Sequence, residues 1–115
     1  MFIAMNRFKV AKGSEADFEE VWTSRQTRLD EMGGFLAFHL LKGPEKDDHT
    51  LYTSHSTWAS KEQFLDWTRS EQFRAAHKNA GQTRSHYLGP PEFEGYEAVL
   101  SEYAGAGAKV APEPA

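Results

Sequence analysis

The sequence contains no cysteine. Disulfides, iron–sulfur clusters and thiolate metal sites are therefore excluded, and a reducing cytoplasm is the expected setting. No apolar run approaches the ~20 residues that a membrane-spanning helix needs, so no membrane partner is expected. The opening "MFIAMNRFKV" lacks the charged leader, long apolar stretch and small-residue cleavage site of a secretory signal. There is no excess of basic charge either. The formal net charge is −4, and Lys and Arg are scattered rather than gathered in a stripe, so nothing favours nucleic acid. HExxH, P-loop and GxGxxG motifs are all missing, which leaves no flavin or nicotinamide signature. No repeat of solenoid period occurs.

What is present suits one domain. A chain of 115 residues leaves little room for a second core. Only 39% of the residues are hydrophobic, but eight Phe, three Trp and four Tyr can each bury a large area. Phe2 to Val10 alternates, with Phe2, Ala4, Asn6, Phe8 and Val10 on one face, and reads as a strand. Asn6 is the polar exception on that face. Ser14 reads as a helix N-cap with Asp17 in capping-box position. Phe18, Val21, Trp22 and Leu29 continue at helical spacing until Gly33 and Gly34. Phe35–Leu41 and Thr50–Trp58 read as a strand pair joined by the polar "KGPEKDDH". Ser60 and Gln63 form a second capping box, and the helix runs through Trp67 to about His77, with a break expected near 68–70 where Ser70 can cap a fresh turn. Residues 79–91 have loop chemistry, and Phe93–Tyr103 reads as a last strand. Residues 104–115, "AGAGAKVAPEPA", are expected to be a disordered tail beyond a domain of residues 1–103.

The order β-α-β-β-α-β defines an α+β, ferredoxin-like fold with helices on one face of an antiparallel sheet. The other face needs a cover, and a second copy is the simplest one. In this topology Asn6, Trp67 and His77 can line one space between helices and sheet. Each also has a plain structural reading. Asn6 can sit at a solvated strand position, and Trp67 can join Phe64 in the core. His77, on the same helix face as Phe73, can complement a helix C-terminus. His39 and His55 fall on neighbouring strands, but two histidines without a third ligand make a poor metal site.

The segments "MNRF", "TWASKEQFLDW" and "SEQFRAAHK" resemble the antibiotic-biosynthesis monooxygenase superfamily and, within it, the IsdG-type heme-degrading monooxygenases. The resemblance spans residues 1–103 in element order. Its specific part is the set Asn6, Trp67 and His77, the last two ten residues apart. It implies a homodimer whose two sheets meet as an α/β barrel, with a heme pocket between helices and sheet in each chain. It implies that heme is both substrate and cofactor, opened with O₂ and electrons from an external donor, a reductase partner. By position, His77 would ligate the iron, Asn6 would face the iron's open side, and Trp67 would press on the porphyrin. Phe73 would pack beside them. Arg25 and Arg84, with Lys78 in the same loop as Arg84, are candidates for the heme propionates, and His86 is an alternative ligand. Two other readings stay open at this point. One is a cofactor-free monooxygenase acting on an aromatic quinol or polyketide-like substrate, which needs no ligand at His77. The other is a heme-binding module without catalysis.

Overall fold

The fold comes from a computed structural model that describes residues 1–25, 27–77, 86–105 and the backbone of 109–110. Strand β1 (Phe2–Ala11) leads to helix α1 (Glu15–Ser24), a 3₁₀ turn (Leu29–Glu31), β2 (Phe35–Glu45) and β3 (His49–Trp58). Two short helices, α2 (Lys61–Thr68) and α3 (Glu71–His77), precede β4 (Glu92–Glu97). A separate pair, β5 (Ser101–Glu102) and β6 (Lys109–Val110), follows. The main sheet has the order β2-β3-β1-β4, and each neighbouring pair is antiparallel. This is the ferredoxin-like α+β arrangement. No helix among the described residues is long and apolar enough to cross a membrane.

The period-2 pattern of β1 decides which face the helices cover. Phe2, Ala4, Phe8 and Val10 are buried. They contribute to two separate apolar clusters. One gathers Phe2, Ala4, Leu29, Trp58, Trp67 and Ala76. The other gathers Phe8, Val10, Phe18 and Tyr52. Asn6 lies on β1 between the two sets. The opposite face, carrying Met5, His39, His55 and Leu41, has no helix over it among the described residues. Leu41 and Tyr96 are exposed.

Four local expectations are corrected. Helix α1 does not reach Leu29. Ser24 Oγ turns back onto the Glu20 and Val21 carbonyls, Arg25 is extended (ψ 131°), and Arg28 is left-handed (φ 56°). A bidentate Arg28–Glu31 pair at 2.8 Å then holds the 3₁₀ turn that carries Leu29 into the core. The Ser14–Asp17 capping box does not form, because Ser14 makes no side-chain cap. Glu15 holds this end instead. Its carboxylate accepts from the Gly13 N–H at 2.7 Å and from the Thr50 hydroxyl at 2.9 Å. Strand β2 runs past Leu41 to Glu45, since Gly43 and Pro44 form a bulge on an edge strand, where proline loses no ladder bond. The last strand stops at Glu97, not Tyr103, because its partner runs out there: Phe2 pairs with Glu97 at the start of β1.

The expected break after α2 is present. Ser60 Oγ accepts from the Gln63 N–H. Ser70 Oγ donates to the Trp67 carbonyl at 2.6 Å and accepts from the Phe73 N–H at 3.0 Å, ending one helix and starting the next. Phe18, fully buried and packed on Phe8 and Tyr52, fixes α1 against the sheet. Phe18→Ala is expected to cost about 3–5 kcal/mol, read as a lower urea midpoint at unchanged slope.

Candidate active site

The two apolar clusters do not close on each other. Between them lie two adjoining cavities of about 680 Å³ and 340 Å³. Asn6, Trp22, Arg25 and His77 line both. The larger is walled on its outer side by Phe8, Tyr87 and the Gly89–Pro91 segment. That segment is tied to β1 through the Val10–Tyr87 bridge and the Leu88 N–H to Lys9 carbonyl bond at 2.7 Å. The smaller cavity lies deeper, among Phe38, Phe64, Trp67 and Phe73. Both sizes are in the range of ligand sites.

The short helices deliver two of the predicted residues together. Trp67 lies in the last turn of α2 and His77 ends α3, with ring centroids 6.4 Å apart. Phe73 sits between them, edge-on to Trp67 at 5.4 Å and stacked on His77 at 4.1 Å. Trp67 is also stacked on Trp58 at 6.3 Å, so its indole is held from two sides. His77 Nδ1 lies 2.8 Å from the Phe73 carbonyl. A carbonyl only accepts, so Nδ1 carries the proton and Nε2 keeps its lone pair. Burial, with a smaller effect from the Arg25 charge, pushes the His77 pKa below the ordinary histidine value. The imidazole is thus neutral near pH 7, the form that ligates a metal.

Arg25 leaves the end of α1 with its guanidinium 4.3 Å above the Trp22 ring. Burial lowers its pKa, while Tyr87 acts the other way. A guanidinium keeps its charge through such a shift. It makes no ion pair among the described residues, so the cavity holds an unneutralised cation suited to an anionic group. Trp22 in turn stacks on Phe38 at 5.7 Å and 17°.

Asn6, Trp67, His77, Phe73 and Arg25 are therefore brought to one connected space. Arg84 and Lys78 lie outside the described residues. His86 lines neither cavity, and its Nδ1 is buried with no hydrogen bond among the described residues. Sequence reasoning treated Trp22 as core packing, since it fits the apolar stripe of α1. It gave no role to Tyr87 or Ser54. The Trp22–Arg25 spacing of three was the available signal for a stacked cation at a helix end.

The chain belongs to the antibiotic biosynthesis monooxygenase family, whose sequence profile matches residues 1–79. It is 32% identical over 78 residues to heme oxygenase (staphylobilin-producing) 1 of Staphylococcus aureus strain Newman, covering 68% of this chain and 72% of that one. Among solved structures it resembles a mutant of MhuD, a heme degrader of Mycobacterium tuberculosis, with two manganese protoporphyrin IX bound per active site. There the TM-score is 0.70 and the identity 25%, over 90% of this chain and all of the other. It shares its fold with SnoaB, a cofactor-independent oxygenase from Streptomyces nogalater, at TM-score 0.62 and 22% identity over 90% and 96% of the two chains.

Because α3 presents both Phe73 and His77, its N-terminal cap matters to the site. Ser70→Ala is expected to cost about 1 kcal/mol, measured by urea unfolding, and Ser70→Asp, which keeps an N-cap acceptor, to lose less.

Proposed function

We propose that this chain is a heme-degrading monooxygenase of IsdG type. The reading rests most heavily on His77. Its Nδ1–H is held by the Phe73 carbonyl, its Nε2 lone pair is left over, and the side chain borders a cavity that also carries a polar amide and a cation with no ion pair among the described residues. Aromatic walls, a neutral imidazole and an arginine fit a flat, apolar, iron-bearing ring with acidic side arms. Bound heme supplies the iron at which O₂ is activated and the carbon bridge that is oxidised, giving a linear tetrapyrrole and free iron.

The protein's own groups then divide the work. His77 would hold the iron through Nε2, and the Nδ1–H bond to Phe73 would fix its ring and raise its basicity as a ligand. Asn6 projects its amide from β1, where an N–H donor stabilises negative charge that develops nearby. Among the described residues its side chain makes no hydrogen bond, which leaves its donors to a ligand. Trp67, braced by Trp58 and Phe73, offers a rigid indole for the macrocycle to press against. Arg25 meets a propionate carboxylate, a charge-assisted bond of the stronger kind. The outer wall of Tyr87 and Gly89–Pro91 limits water. Electrons come from an external reductase, and the open sheet face pairs with a second copy to give a cytoplasmic homodimer.

Hemin titration tests this reading. The protein should form a one-to-one complex with a sharp Soret band that decays when a reductant is added in air, with a linear tetrapyrrole found by mass analysis. His77→Ala should weaken binding by more than the roughly 10–100-fold that loss of an outer hydrogen-bonding partner costs. Asn6→Ala should keep heme bound and slow the decay on the order of 10²-fold. A Soret band that persists unchanged in the parent points instead to a binding module. Oxygenation of an aromatic substrate by His77→Ala without heme points to a cofactor-free enzyme.

A further inference from the structure

Asn6 and Ser54 lie on one rung of the sheet, directly opposite each other in β1 and β3. Both line the inner cavity. Direct cross-strand neighbours hold their Cβ atoms about 4.5–5.5 Å apart, so a small molecule that meets one side chain is within reach of the other. Ser54 is only 7% exposed. The neighbouring hydroxyls on the same face of β3 are engaged. Thr50 donates to Glu15, Tyr52 donates to Glu19, and Ser56 accepts from Trp58 Nε1. Among the described residues the Ser54 hydroxyl makes no hydrogen bond. The hydroxyl opens onto the cavity and is not sealed in the core, so a ligand that displaces cavity water has to satisfy it or lose a hydrogen bond. The unpaired hydroxyl beside an unpaired amide, both on the cavity floor, calls for an occupant that accepts hydrogen bonds.

We propose that Ser54 is a ligand-directed donor that acts with Asn6 as a two-point hydrogen-bonding floor for a small ligand at the open coordination position of heme iron. This rests on the heme reading above. Ser54 contributes a rotatable O–H, and Asn6 a fixed N–H. Two donors on one rung orient a bent diatomic or triatomic ligand along the sheet, where a single amide would leave it free to swing.

The experiment compares parent, Ser54→Ala, Ser54→Thr and Ser54→Val proteins loaded with hemin. Carbon monoxide is bound to the reduced form and its C–O stretch recorded, and azide is titrated against the ferric form. Removing a donor should move the C–O stretch to higher frequency in Ser54→Ala and weaken azide roughly fivefold, the equivalent of one hydrogen bond. Ser54→Thr should match the parent. The Thr and Val variants share one shape, so a shift between them reads the hydroxyl alone even if Ser54→Ala packs poorly. Identical C–O stretch and azide affinity in Thr and Val variants overturn the assignment while leaving the heme reading in place. A parent that takes up no hemin overturns both, and that result is seen before any variant is compared.

Discussion

A gap in the hydrophobic face of the sheet governs the rest of this molecule. Along β1 and β3 the inward positions hold large apolar or aromatic groups at both ends, Phe2 and Trp58 at one, Phe8, Val10 and Tyr52 at the other. In the middle stand Asn6, Ser54 and Ser56. Apolar burial drives the helices onto both ends of the sheet, but small polar side chains at its centre give them nothing to close upon. Two clusters form instead of one, and the space between them is the site. A cavity here is thus a consequence of side-chain size and polarity on one rung of a ladder, with the clusters on either side supplying the stability that holds it open.

The helices contribute through their interruptions. Ser24 ends α1 early, and the chain turns outward at Arg25, which places a guanidinium over Trp22 at the cavity instead of on a solvated helix surface. Ser70 separates α2 from α3, so that Trp67 and His77, ten residues apart, face one space across Phe73. In an unbroken helix, residues ten apart are offset by about 80° around the axis and about 15 Å along it. The break shortens that separation to a ring contact of 6.4 Å. Hydroxyl side chains that compete with helical hydrogen bonding therefore act here as hinges that aim functional groups.

The element order and the inward face of β1 were legible because strand alternation and turn residues are local signals. Asn6 stood out for the same reason: it breaks an apolar alternation. Trp67 and His77 did not. Their spacing fits core packing and helix capping equally well, and only the resemblance carried by "MNRF", "TWASKEQFLDW" and "SEQFRAAHK" separated the two. The end of α1 was misread since Leu29 keeps helical phase with Phe18 and Trp22, and phase cannot reveal that a serine has turned back on the carbonyls before it. Ser54 was invisible in a strand reading "TLYTSHSTW", where any of the three small hydroxyls on the inward face, at Thr50, Ser54 and Ser56, could have been the one facing a ligand. Which of them lacks a partner depends on Glu15, which takes the Thr50 hydroxyl, and on the Trp58 indole, which takes Ser56, and the first of these is tertiary information.

The account's central claim is that one ring system fills the joined cavities with His77 on one side and the Asn6 rung on the other. A crystal structure of the protein with hemin tests this most directly. The claim predicts His77 Nε2 bonded to iron, the macrocycle lying between Trp67 and Arg25, and the Asn6 amide facing the iron's opposite side. Iron held by any other side chain, or hemin seated on the outer sheet face beside His39 and His55 with the cavities left unfilled, would contradict it.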